Sequence, residues 1–423
     1  MNYVVRAMDT LLGELLDELP AIALEGAKGV GKTATAKRHA KRVFSLDAPE
    51  AFSSVEADPQ LILVGNGTTF IDEWQRVPDV WDVVRTAVDD GAKPGSYLLA
   101  GSASPKDDVN IHSGAGRIVS LIMRPMSFPE REVEQPSVSF AELLRGEKPE
   151  IRGTSSVTTA QYAQEIVRSG FPGIRNASER ARSLLLDGYV QKIVERDIPE
   201  AGGAVRRPEM LLDWLRAYGA ATATTASYAS IASASNPGEP EIPSRKSTTN
   251  YRELLRRIFV VDPIPAWTPA FSHLKRLGQA PKHHLVDPGL AARLMGLGVD
   301  GLIHGEGGGG FRRDETFLGA LFESLVAQTV RVLISLGEGA VFHMRDLDGE
   351  HEVDLIVQRP DLRFLAIEVK LSTSVRPKDV KSLNWLEEQM GDRMLDKVIV
   401  NTGSMAYRRP DGVAVVPLAL LGE

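Results

Sequence analysis

The chain has 423 residues, of which 43% are hydrophobic and 25% are charged, the composition of a globular protein with about two to four domains. Its 49 Lys and Arg residues against 56 Asp and Glu residues give a formal charge of −7, which excludes a globally basic protein that coats nucleic acid. The absence of cysteine excludes disulfides, thiolate zinc sites, iron–sulfur clusters and cysteine nucleophiles, and a reducing, cytoplasmic setting is expected.

The first part of the chain alternates short apolar runs with helical patterns. Residues 1–19 carry acids among their leucines, which indicates an amphipathic helix rather than a signal peptide. No apolar run approaches the roughly 18–20 residues of a membrane span, so no membrane partner is expected. Helices are predicted from Gly31 through Arg42 and over 80–88, and buried strands at 21–24, 68–71 and 97–100. This alternation predicts an α/β fold whose parallel sheet is covered by helices on both faces.

The middle of the chain is predicted to be mostly helical. Pro125, Pro129 and Pro136 indicate a domain boundary, and Ser178 is the expected N-cap of a helix that runs to Arg196. Residues 219–235 are almost all Ala, Thr and Ser, which fits a linker. With a basic helix over 244–257, the same stretch also fits a helix-turn-helix. Two strand-like runs, 259–264 and 283–286, resemble the strands of a winged helix, and the loop between them contains His273, Lys275, Arg276 and Lys282.

A glycine-rich linker at 305–310 precedes a second α/β unit. A long amphipathic helix is predicted over 316–336. It is followed by strands at 341–344, 352–357 and 364–369, a helix over 378–390, and a strand at 397–401.

Residues 26–33 read Gly-Ala-Lys-Gly-Val-Gly-Lys-Thr and match the G-x-x-x-x-G-K-[ST] pattern of a phosphate-binding loop. In such a loop, backbone N–H groups and the N-terminus of the next helix face phosphate oxygens. Lys32 is predicted to reach the β- and γ-phosphates of ATP and Thr33 to bind Mg²⁺. The predicted ATP- or ADP-binding residues are Gly26, Ala27, Lys28, Gly29, Val30, Gly31, Lys32, Thr33, Ala34 and Ser102.

Asp72 and Glu73 end an apolar strand and are the expected acidic partners of this loop. Asp72 is predicted to hold Mg²⁺, and Glu73 to orient or deprotonate the attacking water, which favours hydrolysis over phosphoryl transfer to a small molecule. Ser102, just past another strand, is predicted to sense the γ-phosphate. The alternatives are a solvated strand end for the acidic pair and a plain turn residue for Ser102.

Several short segments follow one another in the order of a known family. They are residues 72–78, 99–104, 116–117, 125–130, 169–172, 196–198, 281–282, 287–290, 352–354 and 368–370. In these the chain resembles the bacterial and archaeal AAA-type ATP-binding proteins that carry a conserved C-terminal domain of unknown function. The resemblance covers nearly the whole chain and implies an AAA-type P-loop ATPase domain over residues 1–135.

The same resemblance places Arg117 where AAA proteins have an arginine finger. It implies that Arg117 touches the γ-phosphate, in cis or from a neighbouring subunit of a homo-oligomer. The alternative is a structural salt bridge. Arg124 stands where an apolar residue is expected, so its role stays open.

Carboxylates near the C-terminus alternate with apolar residues along the predicted strands. Glu368 and Lys370 share one strand face, and antiparallel pairing would bring Asp354 to them. Glu323, in the preceding helix, completes a set that would bind Mg²⁺. The order of helix, Asp and Glu-x-Lys resembles the PD-(D/E)xK nuclease fold. In that role Asp354, Glu368 and Lys370 are catalytic, and Glu323, Asp354 and Glu368 are metal ligands. The alternative is a structural or docking face.

The remaining candidates are a basic cluster predicted to bind DNA and a pair of adjacent histidines. A basic cluster on the second helix of the predicted helix-turn-helix is expected to contact DNA phosphates. The cluster comprises Arg245, Lys246, Arg252, Arg256 and Arg257. The alternative is a solvent-exposed helix inside a domain that only connects the other two. His283 and His284 are adjacent, make a poor metal pair and are predicted to lie on the surface.

Three units are therefore predicted: the ATPase domain at 1–135, a helical, winged-helix region at 136–304, and a restriction-endonuclease-like α/β domain at 311–423. The function expected of them is Mg²⁺-dependent ATP hydrolysis coupled to nucleic-acid binding and cleavage. The alternative is a nucleotide-gated switch or interaction protein whose C-terminal nuclease fold is an inactive docking module.

Overall fold

The computed structural model describes residues 3–102, 114–200, 203, 205, 207–235, 243–269, 278, 280–304, 315–346 and 348–423. The predicted linker at 305–310 lies outside the described residues. So do His273, Lys275 and Arg276 of the predicted wing, and residues 103–104 of the resemblance.

The N-terminal unit is a five-stranded parallel sheet with strand order β2-β3-β4-β1-β5. Its strands are β1 (Ala21–Glu25), β2 (Arg42–Ser45), β3 (Thr69–Asp72), β4 (Tyr97–Gly101) and β5 (Val119–Ile122). Its helices are α1 (Ala7–Leu15), α2 (Lys32–His39), α3 (Pro49–Ala57) and α4 (Asp79–Asp89). Apolar clusters lie on both faces of the sheet, so β1, β3 and β4 are buried as their continuous apolar runs predict.

Two local features of this unit go beyond or against the sequence pattern. The helix predicted to run through Arg42 ends at His39, because Ala40 is extended and the Lys41 N–H donates to the Thr68 carbonyl across to the next strand, 2.9 Å. Residues 61–64, an apolar run that could have paired as a strand, fall largely in the short 3-10 helix Pro59–Leu63. The Asp58 side chain caps that helix by accepting from the Gln60 N–H.

The middle unit is helical, as predicted. Its helices are α5 (Phe140–Arg145), α6 (Thr159–Arg168), α7 (Pro172–Arg175), α8 (Glu179–Lys192), α9 (Ile198–Glu200), α10 (Pro208–Ala220), α11 (Tyr228–Ala234), α12 (Arg245–Arg257), α13 (Pro288–Leu294) and α14 (Val299–His304). Ser178 accepts from the Ala181 N–H and caps α8, and Asp287 accepts from the Leu290 N–H and caps α13. The five residues after α8, Ile193–Asp197, form a π-helical turn.

The two strand-like runs of the middle unit meet through two antiparallel bridges, Val261 to Leu285 and Ile264 to Lys282. The prediction that His283 and His284 lie on the surface is wrong, since they are 0% and 3% exposed. His283 donates through Nε2 to the Ala226 carbonyl, 2.8 Å, with its ring against Tyr218 and Tyr228. Burial lowers the pKa of both imidazoles, so neutral rings suit this packing.

The C-terminal unit is a seven-stranded sheet with strand order β7-β12-β13-β11-β10-β9-β8. Its elements are β6 (Val138–Ser139), β7 (Arg152–Thr154), α15 (Glu315–Leu333), β8 (Ala340–Arg345), β9 (Glu352–Gln358), β10 (Phe364–Lys370), α16 (Lys381–Met390), β11 (Met394–Asn401), β12 (Met405–Arg408), β13 (Ala414–Pro417) and β14 (Leu421–Gly422). β8, β9 and β10 are antiparallel, whereas β11 and β13 are parallel to β10 and to each other.

Strands from the predicted middle region contribute to the C-terminal unit. β7 pairs with β12 at the edge of the seven-stranded sheet, and β6 pairs with β14. The chain therefore enters the C-terminal unit before it forms the helices α6–α14, and it returns there with α15.

The helix α15 is the central helix of the C-terminal unit. The stretch Phe317–Leu336 is long and apolar enough to cross a membrane, contrary to the expectation from the sequence. Within the protein, 72% of its apolar window is buried, and Leu321, Phe322 and Leu325 are fully inaccessible. This is the burial of a core helix.

Candidate functional site

The phosphate-binding loop connects β1 to α2 at the carboxyl end of the sheet. Gly26 has φ +146°, and a Cβ there would lie 2.2 Å from the Met123 carbonyl oxygen. Gly31 caps α2 with φ +110°, in the left-handed region that glycine adopts without a Cβ penalty. The glycines therefore allow the tight curl that the sequence pattern predicts, with the first turn of α2 directly after it.

Lys32 is buried at the start of α2, with 6% of its surface exposed. Its ammonium group donates to the carbonyls of Gly26, 2.7 Å, and Ala27, 2.9 Å. Burial lowers the pKa of Lys32 to about 8. The ammonium is thus held inside the curl of the loop by neutral acceptors, which an anionic phosphate would outcompete.

Thr33 and Asp72 are adjacent, as predicted for a Mg²⁺ site. The Thr33 hydroxyl donates to Asp72 Oδ1 at 3.0 Å, so this hydrogen bond links the start of α2 to the end of β3. Burial raises the pKa of Asp72 above its usual value. A hydroxyl and a carboxylate are the hard oxygen donors that Mg²⁺ takes in such sites, so these residues fit the ion.

Glu73 follows β3 with φ +53°, a left-handed conformation that is uncommon for a residue with a side chain. Its carboxylate accepts hydrogen bonds from the Gln75 amide and from the Ser102 hydroxyl, the latter at 3.2 Å. β4, which ends before Ser102, lies between β1 and β3. Ser102 therefore sits beside the acidic pair, where it orients Glu73.

Sequence reasoning missed a contact between the loop and the middle unit. The Lys28 ammonium donates to Asp197 Oδ1 at 2.6 Å and to Glu200 Oε2 at 2.8 Å, and the Tyr189 hydroxyl donates to the Lys28 carbonyl at 3.2 Å. Asp197 ends the π-helical turn, a rare element that is frequent at functional sites. The available signal was the segment 196–198, which entered only through the family resemblance. A cavity beside the loop is lined by Lys28, Gln75, Ser102, Tyr189, Asp197, Glu200, Ile258 and Val260.

A second missed residue is Arg6, which precedes α1 and is 4% exposed. Its guanidinium donates to the Val30 carbonyl of the loop, 3.0 Å, and to the Arg124 carbonyl, 2.9 Å, and it forms an ion pair with Glu130. These contacts connect the loop to the segment before α1 and to the residues that follow β5. No sequence pattern distinguishes this arginine from the others in the N-terminal unit.

The two arginines after β4 have different surroundings. Arg117 is exposed and pairs with Asp89 at the end of α4, Nε to Oδ1 2.8 Å, which is the arrangement of the salt-bridge alternative. Arg124, whose role the sequence leaves open, forms two hydrogen bonds to Asp262 of the middle unit at 2.7 and 3.3 Å. Arg331 of α15 also pairs with Asp262. Asp262 therefore joins all three units of the chain.

Three carboxylates of the C-terminal unit gather around a buried lysine. Lys282 Nζ lies 2.9 Å from Glu323 Oε1, 2.9 Å from Asp354 Oδ1 and 3.0 Å from Glu352 Oε1. Asp354 Oδ2 accepts from the Val369 N–H. Burial would raise the pKa of Asp354, but attraction to Lys282 and Lys370 holds it below its usual value.

Glu368 and Lys370 form the other part of the cluster. Lys370 Nζ contacts Glu368 Oε1 at 2.5 Å, while Glu368 Oε2 is buried without a hydrogen-bond partner. Burial raises the pKa of Glu368 and of Glu323.

These surroundings do not fit a divalent ion as the cluster stands. Both oxygens of Asp354 already accept hydrogen bonds, and an ammonium group lies among the three acids. Among the described residues, no group of three or more His, Asp and Glu side chains is arranged to hold a metal ion. The Mg²⁺ ligation predicted for Glu323, Asp354 and Glu368 therefore has no prepared site here.

Three family models match successive parts of the chain. Residues 18–132 match an AAA domain, residues 159–301 match a domain of unknown function (DUF8612), and residues 318–421 match a domain of unknown function (DUF4143). The N-terminal unit thus matches an AAA domain, and the C-terminal unit matches a domain of unknown function.

Relatives and solved structures extend over much of the chain. Two uncharacterized proteins, from Mycobacterium bovis and Mycobacterium tuberculosis, are each 26% identical over 419 residues, which is 96% of this chain and 82% of each relative. A Walker-type ATPase of Pyrococcus abyssi is 15% identical with a TM-score of 0.40, over 69% of this chain and 96% of that one. The ADP form of the Aeropyrum pernix ORC2 protein is 13% identical with a TM-score of 0.28, over 76% of this chain and 93% of that one.

Proposed function

We propose that the chain is a Mg²⁺-dependent ATPase that binds ATP through residues 26–34 and hydrolyses it with Glu73. The observation that carries this proposal is the meeting of the loop with Asp72 and Glu73 at one edge of the sheet, where the Thr33 hydroxyl is 3.0 Å from Asp72. The match of residues 18–132 to an AAA domain supports the same conclusion.

Each residue has a distinct role in this reaction. Lys32 exchanges its two carbonyl partners for phosphate oxygens, and Thr33 and Asp72 hold Mg²⁺. When bound, the ion neutralises charge on the β- and γ-phosphates. Glu73, fixed by Ser102 and Gln75, positions the attacking water and takes its proton. Lys28, which contacts Asp197 and Glu200, connects the occupied loop to the middle unit.

The proposal is tested by nucleotide binding and phosphate release with the full-length protein. Replacing Lys32 by alanine removes a charge-assisted interaction with phosphate, so we expect ATP to bind about tenfold or more weakly. Lys93→Ala, an exposed lysine of the same unit, is the matched control and should bind ATP like wild type. Wild-type affinity in Lys32→Ala, or no release of phosphate by wild-type protein with Mg²⁺ and ATP, would contradict the assignment.

A second function, nucleic-acid binding by α12, is proposed from the charge of that helix. Arg245, Lys246 and Arg256 are exposed, and α11 packs against α12 as in a helix-turn-helix, although residues 236–242 between them are not described. Arg252 stacks on the Tyr228 ring of α11, 4.4 Å from its centroid, so it contributes to packing as well as charge. Duplex DNA phosphates would then contact the exposed end of α12.

We expect the double variant Arg245→Ala/Lys246→Ala to bind a DNA duplex more weakly. The slope of log affinity against log salt should fall by about two, because two phosphates are no longer neutralised by the protein. Fluorescence anisotropy with a labelled duplex measures both quantities. Lys93→Ala/Lys192→Ala removes the same charge from exposed positions elsewhere and should leave the slope unchanged. A double variant that keeps the wild-type slope would exclude α12 as the DNA-binding element.

For the C-terminal domain we propose a docking role, the alternative to cleavage. The ion pair between Lys282 and Asp354 supports this choice, because Asp354 is the acid that a nuclease would use to bind Mg²⁺. Mg²⁺-dependent cleavage of plasmid that Glu368→Ala abolishes would restore the nuclease assignment. The ATPase and the docking domain would then form a nucleotide-gated switch in which Asp262 links the units.

A further inference from the structure

Lys28 belongs to the phosphate-binding loop, but its side chain is bound by the middle unit. Its ammonium donates to Asp197 Oδ1 at 2.6 Å and to Glu200 Oε2 at 2.8 Å. Burial would lower the pKa of Lys28, but these two hydrogen bonds raise it above its usual value, so the ammonium stays charged. The Lys28 carbonyl also accepts from the Tyr189 hydroxyl at 3.2 Å. The middle unit therefore holds this residue of the loop at both its main chain and its side chain.

The cavity beside the loop relates this ammonium to the reacting end of the nucleotide. Lys28 and its two acidic partners share the cavity wall with Gln75 and Ser102, whose side chains donate to the Glu73 carboxylate. In the proposed reaction Glu73 positions the water that attacks the γ-phosphate, so the cavity adjoins the end of the triphosphate chain. One ammonium and two carboxylates thus lie next to the phosphate by which ATP differs from ADP.

We propose that Lys28 distinguishes ATP from ADP: the γ-phosphate takes the Lys28 ammonium from Asp197 and Glu200, whereas ADP leaves these ion pairs intact. A γ-phosphate carries more charge than a carboxylate and offers several acceptor oxygens, so it competes effectively for the ammonium. This inference rests on the proposed ATPase function and deepens it, because it assigns regulation of the nucleotide site to two acids of the middle unit.

Loss of the ammonium affects the two acids differently. Glu200 keeps a cation, because Arg196 Nε lies 2.7 Å from its Oε1. The Asp197 side chain is 9% exposed, and among the described residues it has a hydrogen bond and an ion pair only with Lys28. A buried carboxylate that loses its cation is destabilised unless it turns toward water. Since Asp197 ends the π-helical turn, ATP is expected to loosen this turn and its contact with the loop.

The test compares the affinities of the full-length protein for ADP and for adenylyl imidodiphosphate, a non-hydrolysable ATP analogue, with Mg²⁺ present. Asp197→Asn/Glu200→Gln holds the ammonium less strongly, so we expect the analogue to bind about fivefold or more tightly and ADP to stay within about twofold of wild type. The matched control is Glu195→Gln/Glu209→Gln, which neutralises two exposed acids of the same unit. It should keep the wild-type ratio of the two affinities.

The same replacements in Lys28→Met separate an exchange of partners from simple charge repulsion. Lys28→Met has no ammonium to release, so adding Asp197→Asn/Glu200→Gln should change the ratio of the two affinities by less than about twofold. An unchanged ratio when the two acids are replaced in the wild-type background, or an equal increase in both backgrounds, would overturn the proposal.

Hydrogen exchange of the wild-type protein provides a measurement that needs no variant. The analogue should speed amide exchange in residues 193–200 relative to ADP, because the π-helical turn loses its contact with Lys28. Equal exchange with the two nucleotides would contradict this inference and leave the ATPase assignment intact. Wild-type protein that binds neither nucleotide would contradict both.

Discussion

Replacing Glu73 by glutamine should lower the ATP turnover rate by about 100-fold or more while leaving ATP binding intact. The amide keeps the size of the side chain and can still meet the Gln75 and Ser102 side chains that fix the carboxylate. It cannot take a proton from water, so only the step that needs a base is impaired. Lys32, Thr33 and Asp72 remain in place to hold the nucleotide.

Separate measurements of binding and turnover distinguish this role from a structural one. Titration with a fluorescent ATP analogue should give a Kd for Glu73→Gln close to that of wild type, while phosphate release is nearly abolished. Glu56→Gln, the same change on the exposed face of α3, should leave both unchanged. Wild-type turnover by Glu73→Gln would remove Glu73 from the reaction, whereas loss of binding and turnover together would indicate that the Glu73 carboxylate, through its contacts with Gln75 and Ser102, shapes the nucleotide site.

The nucleotide site could be predicted from the sequence because its chemistry is local. Residues 26–33 are contiguous, and the acidic pair directly follows a strand that ends at the same edge of the sheet. Parallel strands place their carboxyl ends at one edge of the sheet, so the predicted parallel sheet puts Asp72 and the loop at the same edge. Side chains such as Lys28 could not be assigned in this way, since its partner Asp197 is 169 residues away in the sequence.

The C-terminal cluster shows more clearly which contacts a sequence pattern cannot predict. Period-two alternation predicts that Glu368 and Lys370 share a strand face, and their side chains are in contact. The structure also brings Glu323 and Asp354 to one point. It could not predict Lys282, which lies 41 residues from Glu323 and 72 from Asp354 and has the sequence context of a winged-helix loop. A basic residue in a polar loop gives no sign that it will be buried, because its burial depends on acids from another unit.

The prediction for the adjacent histidines failed for a related reason. Alternation along a strand puts neighbouring side chains on opposite faces, so a segment with one face to solvent exposes one of them. Here both faces are covered: His283 packs against Tyr218 and Tyr228, and His284 lies in the layer that contains Asp262 and Arg331. The segment is enclosed between the helices of the middle unit and α15, which no local pattern reports.

Replacing Asp262 by alanine should lower the free energy of unfolding by about 2 kcal/mol, since Asp262 is partly buried and its removal leaves Arg124 and Arg331 without their shared carboxylate. Burial would raise the pKa of Asp262, yet Arg124 and Arg331 hold it well below its usual range. The stabilisation is therefore present above the ordinary carboxylate pKa of about 4 and is lost as the pH falls below it toward the depressed folded value.

Urea denaturation followed by tryptophan fluorescence measures this loss of stability, and the buried Trp267 lies only five residues from Asp262. Asp89→Ala is the matched control, because Asp89 also pairs with two arginines but at the surface, where ion pairs contribute little. The double variant Asp262→Ala/Arg124→Leu should recover part of the stability, since it removes one of the cations that Asp262→Ala leaves unpaired. Wild-type stability in Asp262→Ala would mean that this contact does not hold the units together. A large decrease would mean that the contact of Asp262 with Arg124 and Arg331 stabilises the folded arrangement of the three units.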